Sequence, residues 1–339
     1  MVKRGQIWQA LKKAEFPGFK GVNVLGIVKE VTVGEEGAVT LQLAIEHLGQ
    51  SGRDAVIKSV SDALIEVQNI TSLQFEIIQM APPKPVNTQR PGIQTVLAVG
   101  SGKGGVGKST VAVNLAVGLA KAGLKVGLMD ADVFGPNVPR MLGVTELPPK
   151  QGKYIMPAQV HGVKFVSVGL LVNASKAVVW RGPMLDKILR QFLFGVLWGE
   201  LDVLVVDMPP GTGDIAMSLA KHAEPDGAIA VVTPQGVAAD DARKAIRMFR
   251  RLSVPVLGIV ENMSYFICSE CDTRHYLFGE GGGQALADEM DTLLLGQIPM
   301  EPHVRAGGDD GAPAVLRTES LAGAALQQIT ERVKAEVAV

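Results

Sequence analysis

The stretch Thr95-Val-Leu-Ala-Val-Gly-Ser-Gly-Lys-Gly-Gly-Val-Gly-Lys-Ser-Thr110 decides the fold of this chain. A short apolar run leads into a glycine-rich segment with the spacing G-x-x-x-x-G-K-[ST]. After it, Val111, Leu115 and Leu119 repeat at helical spacing as far as Gly123, a typical helix stop. Strand, glycine-rich loop and helix in this order predict a phosphate-binding loop, because flexible backbone N–H groups and a helix N-terminus both attract phosphate oxygens.

The loop residues predict most of a Mg-ATP site. The Lys108 ammonium is expected to reach the β- and γ-phosphates, and the Ser109 hydroxyl to bind Mg²⁺. An accidental glycine-rich turn is the alternative, but it would not explain the flanking strand and helix. The nucleotide-binding residues predicted from the loop are Gly102, Lys103, Gly104, Gly105, Val106, Gly107, Lys108, Ser109 and Thr110.

From residue 93 onward, short apolar runs alternate with helical patterns. Buried strands that alternate with helices predict an α/β fold with a doubly wound, mostly parallel sheet, here residues 93–339. Polar and charged residues cluster where such strands end, and ligands bind at that edge of a parallel sheet. The runs are Thr95–Val99, Val126–Met129, Val203–Val206, Ala228–Val232 and Val256–Val260.

The part of the chain before residue 93 has a different pattern. Residues 1–81 are predicted to form a small α+β domain in the order helix, strand, strand, helix, strand. Residues 82–92 contain four prolines and no periodicity, which predicts a semi-rigid linker. Of the 339 residues, 47% are hydrophobic and the net charge is −1, so neither nucleic acid nor membrane is expected as a partner. The absence of an apolar run of membrane length predicts a cytoplasmic protein.

The run Val203–Val206 ends in Asp207, and the sequence continues Met-Pro-Pro-Gly-Thr-Gly-Asp214. An apolar strand that ends in aspartate is typical of a carboxylate that holds Mg²⁺. The loop after it is constrained by two prolines, and the Gly211 N–H is a candidate sensor of the γ-phosphate. Asp214 is expected to cap the helix Ile215–Lys221.

Lys103, directly after the first glycine, resembles the deviant Walker A ATPases. That group includes partition and septum-positioning ATPases, arsenite-pump ATPases, nitrogenase iron protein and the Mrp/ApbC iron–sulfur carriers. The resemblance implies that Lys103 enters the nucleotide site of a partner subunit, so the active form would be a face-to-face homodimer. A solvated lysine close to a phosphate is the alternative.

The same resemblance implies roles for three further polar residues. Asp132 would belong to switch I and polarise the attacking water, which gives Lys103, Lys108 and Asp132 as the catalytic set. Asp130 would serve the Mg²⁺ shell or the shape of the loop, although it is also a candidate helix cap. Asn262 would bind the adenine edge, with the loop from Pro299 covering the base, unless Asn262 simply makes a turn.

The chain has two cysteines, Cys268 and Cys271, in a C-x-x-C pair. A Cys₄ metal site needs four thiolates, so one chain supplies half of it and a homodimer supplies all of it. From the residues alone, a bridging iron–sulfur cluster and a bridging zinc ion remain equally open. A single-chain site with His275 would lack a fourth ligand, and a thioredoxin-like dithiol usually lies at a helix start.

The ordered motif set resembles the Mrp/ApbC family of iron–sulfur cluster carrier ATPases over about residues 93–315. The resemblance implies a homodimer that holds a [4Fe–4S] cluster between paired Cys268 and Cys271 loops. The cluster would come from a donor and pass to apoproteins, gated by ATP binding and slow hydrolysis. The motifs are K-G-G-V-G-K-S-T, D-A-D-V-F-G-P-N, W-R-G-P-M at Trp180–Met184, D-M-P-P-G-T-G-D, V-E-N-M-S, C-x-x-C and F-G-E-G-G-G.

Residues 1–81 resemble the small iron–sulfur-assembly domain that often precedes this ATPase. Such domains often carry a cysteine after the second strand, whereas residues 46–51 here contain none, so a docking role or a passive appendage is expected. Three other functions are alternatives: a MinD/ParA-like positioning ATPase, a redox ATPase with distant cysteines, and a scaffold with an inactive nucleotide site. Leu326, Ile329 and Val333 share one face of a C-terminal helix without aromatic residues, which favours a docked helix over a membrane anchor.

Overall fold

A computed structural model describes residues 2, 4–11, 27–34, 37–45, 50–77, 92–171, 182–211 and 213–337. These residues belong to two compact units, one containing residues 2–77 and one containing residues 92–337. Residues 82–91 of the predicted linker 82–92, the segment 46–49, Trp180 and Arg181 lie outside the described residues.

The N-terminal unit has the predicted order of elements in its described part. Helix α1 (Arg4–Leu11) precedes strands β1 (Val28–Val33) and β2 (Ala38–Leu43), which pair antiparallel. Helix α2 (Gln50–Leu64) then leads to β3 (Ser72–Ile77), which pairs parallel to β2. Alternate residues of β2 are fully buried and form one core with apolar residues of both helices, among them Ile7, Leu11, Leu41, Leu43, Val60 and Leu64.

The second unit contains a nine-stranded sheet. Its strands are β4 (Ile93–Gly100), β5 (Val126–Asp130), β6 (Ala158–Val160), β7 (Val163–Ser167), β8 (Leu201–Asp207), β9 (Gly227–Val232), β10 (Val256–Ile267), β11 (Arg274–His275) and β12 (Leu294–Met300). Their order in the sheet is β11-β10-β9-β4-β8-β5-β7-β6, with β12 paired to β10, and every pair except β10–β11 and β6–β7 is parallel.

Helices cover both faces of this sheet, and the sheet separates two large apolar cores. The central strands are buried along nearly their whole length, which explains why they appear in the sequence as continuous apolar runs. The helices are α3 (Lys108–Lys121), α4 (Val138–Leu142), α5 (Val168–Leu171), α6 (Gly182–Phe194), α7 (Asp214–Ala223), α8 (Gly236–Arg251), α9 (Gly282–Glu289), α10 (Pro302–Asp310) and α11 (Leu321–Val337), with a 3₁₀ turn at Ala314–Leu316.

The C-terminal helix α11 is docked on the sheet, as its sequence pattern predicted. Leu326, Ile329 and Val333 are buried in the core formed with α3 and β12. The closeness of this packing is visible at Gly118 of α3, where a Cβ atom would lie 2.5 Å from the Thr330 hydroxyl. None of the helices in the described segments is long and apolar enough to cross a membrane.

Two boundaries differ from the sequence prediction. Helix α7 begins at Asp214 and its N-cap is Gly213, so the expectation that Asp214 caps this helix was wrong. Strand β10, predicted to end at Val260, continues to Ile267. The polar residues after Val260 interrupt the apolar pattern, but they lie inside the sheet, where their side chains are hydrogen-bonded.

Candidate nucleotide site and cysteine hairpin

The phosphate loop connects β4 to α3, in the position that the sequence predicted. Gly107 caps the helix with a φ of 82°, a left-handed conformation that favours glycine. A Cβ atom at this position would lie 2.1 Å from the Asn262 side-chain nitrogen. Asn262 donates from that nitrogen to the Val106 carbonyl at 2.9 Å, so β10 directly supports the curve of the loop.

Three side chains below the loop form a closed hydrogen-bonded group. The Lys108 ammonium lies 2.6 Å from one carboxylate oxygen of Asp207, and the Ser109 hydroxyl donates to the other oxygen at 2.6 Å. The ammonium also lies 3.5 Å from Asp132. Asp207 is fully buried, and burial raises the pKa of its carboxyl against the opposing effect of Lys108.

Asp132 shapes the loop that follows β5. One of its oxygens accepts hydrogen bonds from the N–H groups of Phe134 and Gly135, each at 3.2 Å. Its other oxygen faces Lys108, in a cavity of about 370 Å³ that is lined mainly by the phosphate loop. The carboxylate therefore has one structural oxygen and one oxygen directed at the place predicted for the phosphates.

Asp130 is buried beside Asp207, with which it is in register on the neighbouring strand. It accepts hydrogen bonds from the Ser167 hydroxyl at 2.7 Å and from the Asp132 N–H at 3.1 Å. Both of its oxygens are thus engaged in fixing the loop, which favours the shape-determining role over the Mg²⁺ shell. Burial, and secondly the charge of Asp207, hold the pKa of Asp130 well above its ordinary value.

Replacing Asp130 with asparagine is expected to flatten the pH dependence of stability. An acid with a raised folded-state pKa keeps its proton to higher pH when folded than when unfolded. Its contribution to stability is therefore present below its ordinary pKa of 3.8 and is lost as the pH rises through the folded value. Between about pH 4 and pH 8, the free energy of unfolding measured by urea denaturation should decline less with rising pH for Asp130→Asn than for the wild type.

The Ser167→Ala variant supplies the opposite arm of this experiment. The Ser167 hydroxyl lowers the pKa of Asp130. Removal of this hydroxyl should therefore make the free energy of unfolding decline more steeply with rising pH. Equal slopes in the wild type and in Asp130→Asn would contradict the assignment.

A second, larger cavity continues from the phosphate cavity. It measures about 680 Å³, and the two cavities share Thr110, Asn137 and Met141. Its walls come from α4, from residues 262–266 of β10, from Leu277, and from residues 299–309. We call it the nucleoside cavity, because its walls include both Asn262 and Pro299, the positions predicted to contact an adenine base.

Two glycines bring the helices on either side of the nucleoside cavity together. Gly143 ends α4 with a φ of 67°, and Gly311 ends α10 with a φ of 71°. A Cβ atom on Gly311 would lie 2.7 Å from the backbone nitrogen of Gly143, whereas a Cβ atom on Gly143 would lie 3.6 Å from Gly311. The Arg140–Asp309 ion pair, at 3.1 Å, bridges the same two helices.

The other predicted loop residues lie around the phosphate cavity. The Lys103 ammonium donates to the Gln235 side chain at 3.2 Å within the same chain, so its predicted entry into a partner's site remains a prediction. The Gly211 N–H donates to the Ser101 carbonyl at 2.9 Å, which ties the loop after β8 to the phosphate loop. Sensing of a γ-phosphate by this N–H would require that bond to break.

The cysteines lie at the tip of the hairpin formed by β10 and β11. The Cys268 N–H donates to the Thr273 carbonyl and the Asp272 N–H donates to the Cys268 carbonyl, both at 3.0 Å. Cys271 is exposed and Cys268 is half-buried. The Thr273 hydroxyl, 3.2 Å from the Cys271 sulfur, lowers the pKa of that thiol. Within the described residues no group of three or more histidine, cysteine or acidic side chains could hold a metal ion.

Glu261 positions this hairpin, although no role was predicted for it from the sequence. It is buried and accepts hydrogen bonds from the Ser264 hydroxyl and the Gln297 amide, both at 2.7 Å, and from the Gly283 N–H. Gly283 follows the hairpin in α9, so Glu261 joins the two ends of the segment 262–282, which carries both cysteines. The signal was a glutamate directly after an apolar run, where burial requires partners.

Fold and site together define a P-loop NTPase, with the phosphate loop at the carboxyl end of a parallel strand. A family model described as NUBPL iron-transfer P-loop NTPase matches residues 92–334. The iron-sulfur cluster carrier protein of Haemophilus influenzae is 40% identical over 342 residues, covering 99% of this chain and 92% of that protein. The protein of the same name from Escherichia coli K12 is 43% identical over 303 residues, covering 88% and 82%. The chain belongs to this family of iron–sulfur cluster carrier P-loop NTPases.

Solved structures give the same fold. A nucleotide-binding protein from Archaeoglobus fulgidus, in complex with ADP, has 38% identity and a TM-score of 0.59, covering 69% of this chain and 93% of its own. The Pyrococcus furiosus cell division ATPase MinD has 24% identity and a TM-score of 0.53, covering 71% and 98%. The second likeness shows the fold alone.

Proposed function

We propose that two copies of this chain hold a [4Fe–4S] cluster between their C-x-x-C hairpins and transfer it to apoproteins, with ATP binding and slow hydrolysis gating the transfer. One observation carries the proposal. The chain has two cysteines, both at one hairpin tip, and the described residues around them offer no third metal ligand. A four-thiolate site therefore requires a second copy.

The phosphate loop is the proposed site of ATP. Lys108 would turn from Asp207 to the phosphates, since Lys108 itself lines the phosphate cavity together with Asp132. The Ser109 hydroxyl and the Asp207 carboxylate, which already lie 2.6 Å apart, fit the oxygen ligands that Mg²⁺ prefers. Mg²⁺ held there would neutralise charge on the β- and γ-phosphates.

Hydrolysis is assigned to Asp132. Its Lys108-facing oxygen lies at the phosphate cavity and would orient a water molecule toward the γ-phosphorus. The water oxygen bonds to phosphorus as the bond to the ADP oxygen breaks, and the water protons pass to the departing phosphate. Lys103 would complete the site of the partner subunit, as the resemblance to deviant Walker A ATPases implies.

The adenine base of ATP is proposed to lie in the nucleoside cavity. Asn262 uses its side-chain nitrogen for the Val106 carbonyl, which leaves its side-chain oxygen as an acceptor for an adenine amino group. The same strand ends at Ile267, directly before Cys268, so one element connects the proposed base site to the cysteine turn.

Anaerobic reconstitution of the full chain with iron and sulfide tests the proposal. We expect about four irons per two chains, with the broad visible absorption of a [4Fe–4S] cluster, and a dimer by size-exclusion chromatography with light scattering. The Cys268→Ser, Cys271→Ser double variant should bind no iron. The matched control is Ser269→Ala, a substitution at an exposed position between the two cysteines of the same turn.

Two results would count against the proposal. One tightly held zinc ion per two chains, with no iron uptake, would make the hairpins a structural metal site. Iron binding by a chain that stays monomeric would contradict the shared site.

A further inference from the structure

We propose that the nucleoside acts on the cysteine pair through Phe266 and Leu277, two apolar residues that belong both to the nucleoside cavity and to the cysteine hairpin. The proposal rests on the proposed function in taking the cavity as the place of the nucleoside. It assigns Phe266 and Leu277 as positioning residues, which transmit occupancy of the cavity to the thiols.

The first support is the position of the two side chains. Phe266 lies two residues before Cys268 and lines the nucleoside cavity. Leu277 lines the same cavity from the return side of the hairpin and is 62% exposed, although it is a large apolar residue. An apolar side chain at the open edge of a cavity gains buried area when a base enters. The two sides of the hairpin are thus both drawn toward the same ligand.

The second support is the stiffness of the hairpin itself. Phe266 pairs with His275, and the following pair, Ile267 with Arg274, leads directly into the cysteine turn. The Arg274 guanidinium lies 4.0 Å from the centre of the Tyr265 ring, a cation–π contact. Because these pairs leave few free torsions between the cavity wall and the turn, a displacement at one end moves the other.

The third support is the fixed base of the hairpin. Asn262 is bonded to the phosphate loop and Glu261 is bonded to α9 and β12. Any displacement of the hairpin tip therefore takes place relative to a fixed hairpin base. Its tip bears the half-buried Cys268 and the exposed Cys271, whose accessibility reports on any such movement.

Thiol alkylation of the metal-free, reduced chain tests the inference. These are the chain's only cysteines, so every modified thiol belongs to the hairpin. We expect saturating Mg-ADP to change the rate of iodoacetamide modification by at least about fivefold, the lower end of coupling between two sites. Tripolyphosphate, which has phosphates but no base, should leave the rate within about twofold of the ligand-free value.

The decisive variant is Leu277→Ala, compared at saturating ADP after its affinity has been measured by calorimetry. It should reduce the effect of ADP to less than about twofold. Ile65→Ala removes a similarly exposed aliphatic side chain from the N-terminal unit and should keep the full effect. No effect of ADP in the wild type, an equal effect in Leu277→Ala, or full reproduction by tripolyphosphate would each overturn the inference.

The outcome is separate from that of the reconstitution experiment, because no iron is present. A chain that failed to assemble a cluster could still show the thiol response, and a chain that carried a cluster could fail to show it.

Discussion

Replacement of Asp132 by asparagine is expected to lower the turnover number for ATP by about two to four orders of magnitude. The variant keeps an oxygen that can accept from the Phe134 and Gly135 N–H groups, so the loop should retain its shape. It removes the negative charge that faces Lys108 and the phosphate cavity. The affinity for Mg-ADP should change by less than about tenfold, because the phosphate loop is untouched.

Two comparisons sharpen this measurement. Asp202→Asn makes the same chemical change at the end of β8 that lies away from Asp207 and the phosphate loop. The Asp202 carboxylate accepts from the Lys125 N–H at 2.7 Å, and its replacement should leave turnover unaltered. Asp132→Ala removes both the charge and the loop contacts. Turnover in Asp132→Asn within a few-fold of wild type would show that another group directs the water.

Glu261→Ala is expected to lower the free energy of unfolding of the second unit by about 1–3 kcal/mol. The substitution leaves the buried Gly283 N–H without an acceptor and removes the partner of the Gln297 amide, whereas the Ser264 hydroxyl keeps the backbone carbonyl of residue 261 as its acceptor. A buried N–H group without a partner costs about 1–3 kcal/mol. Urea denaturation followed by tryptophan fluorescence measures the total.

The same variant should release the hairpin locally. Hydrogen exchange at Gly283 is expected to become faster, and so is alkylation of Cys268, because Glu261 joins the two ends of the segment that carries it. Glu280→Ala removes an exposed glutamate from that segment and is the matched control. A loss of stability no larger than in Glu280→Ala would show that Glu261 does not hold the segment.

The phosphate loop could be predicted from sequence because its signal is local. One strand, one glycine-rich turn and one helix follow each other within about thirty residues, and each has its own pattern. The acids at the ends of β5 and β8 could be predicted equally well, since strand ends in a parallel sheet meet at one edge. The docking of α11 followed from the spacing of Leu326, Ile329 and Val333, all of which are buried.

The hairpin that carries the cysteines could not be predicted in the same way. After Val260 the sequence changes to polar residues, which normally indicates the end of a buried strand. Glu261 and Asn262 nevertheless lie inside the fold, because their partners come from residues 283, 297 and 106. Such long-range hydrogen bonds leave no periodic signal, so the shared wall of Phe266 and Leu277 became visible only in three dimensions.

The meeting of Gly143 and Gly311 offers a way to adjust nucleotide affinity in graded steps. Both residues have positive φ, so alanine at either one carries a similar conformational strain of about 1 kcal/mol. Only Gly311→Ala would also wedge the two helices apart, since its methyl group would strike the Gly143 backbone at 2.7 Å. The pair of variants thus separates strain from distance. Gly311→Ala would leave the proposed catalytic residues unchanged and weaken binding at the nucleoside cavity. Such a variant would be useful for accumulating the carrier in a state between cluster loading and cluster delivery.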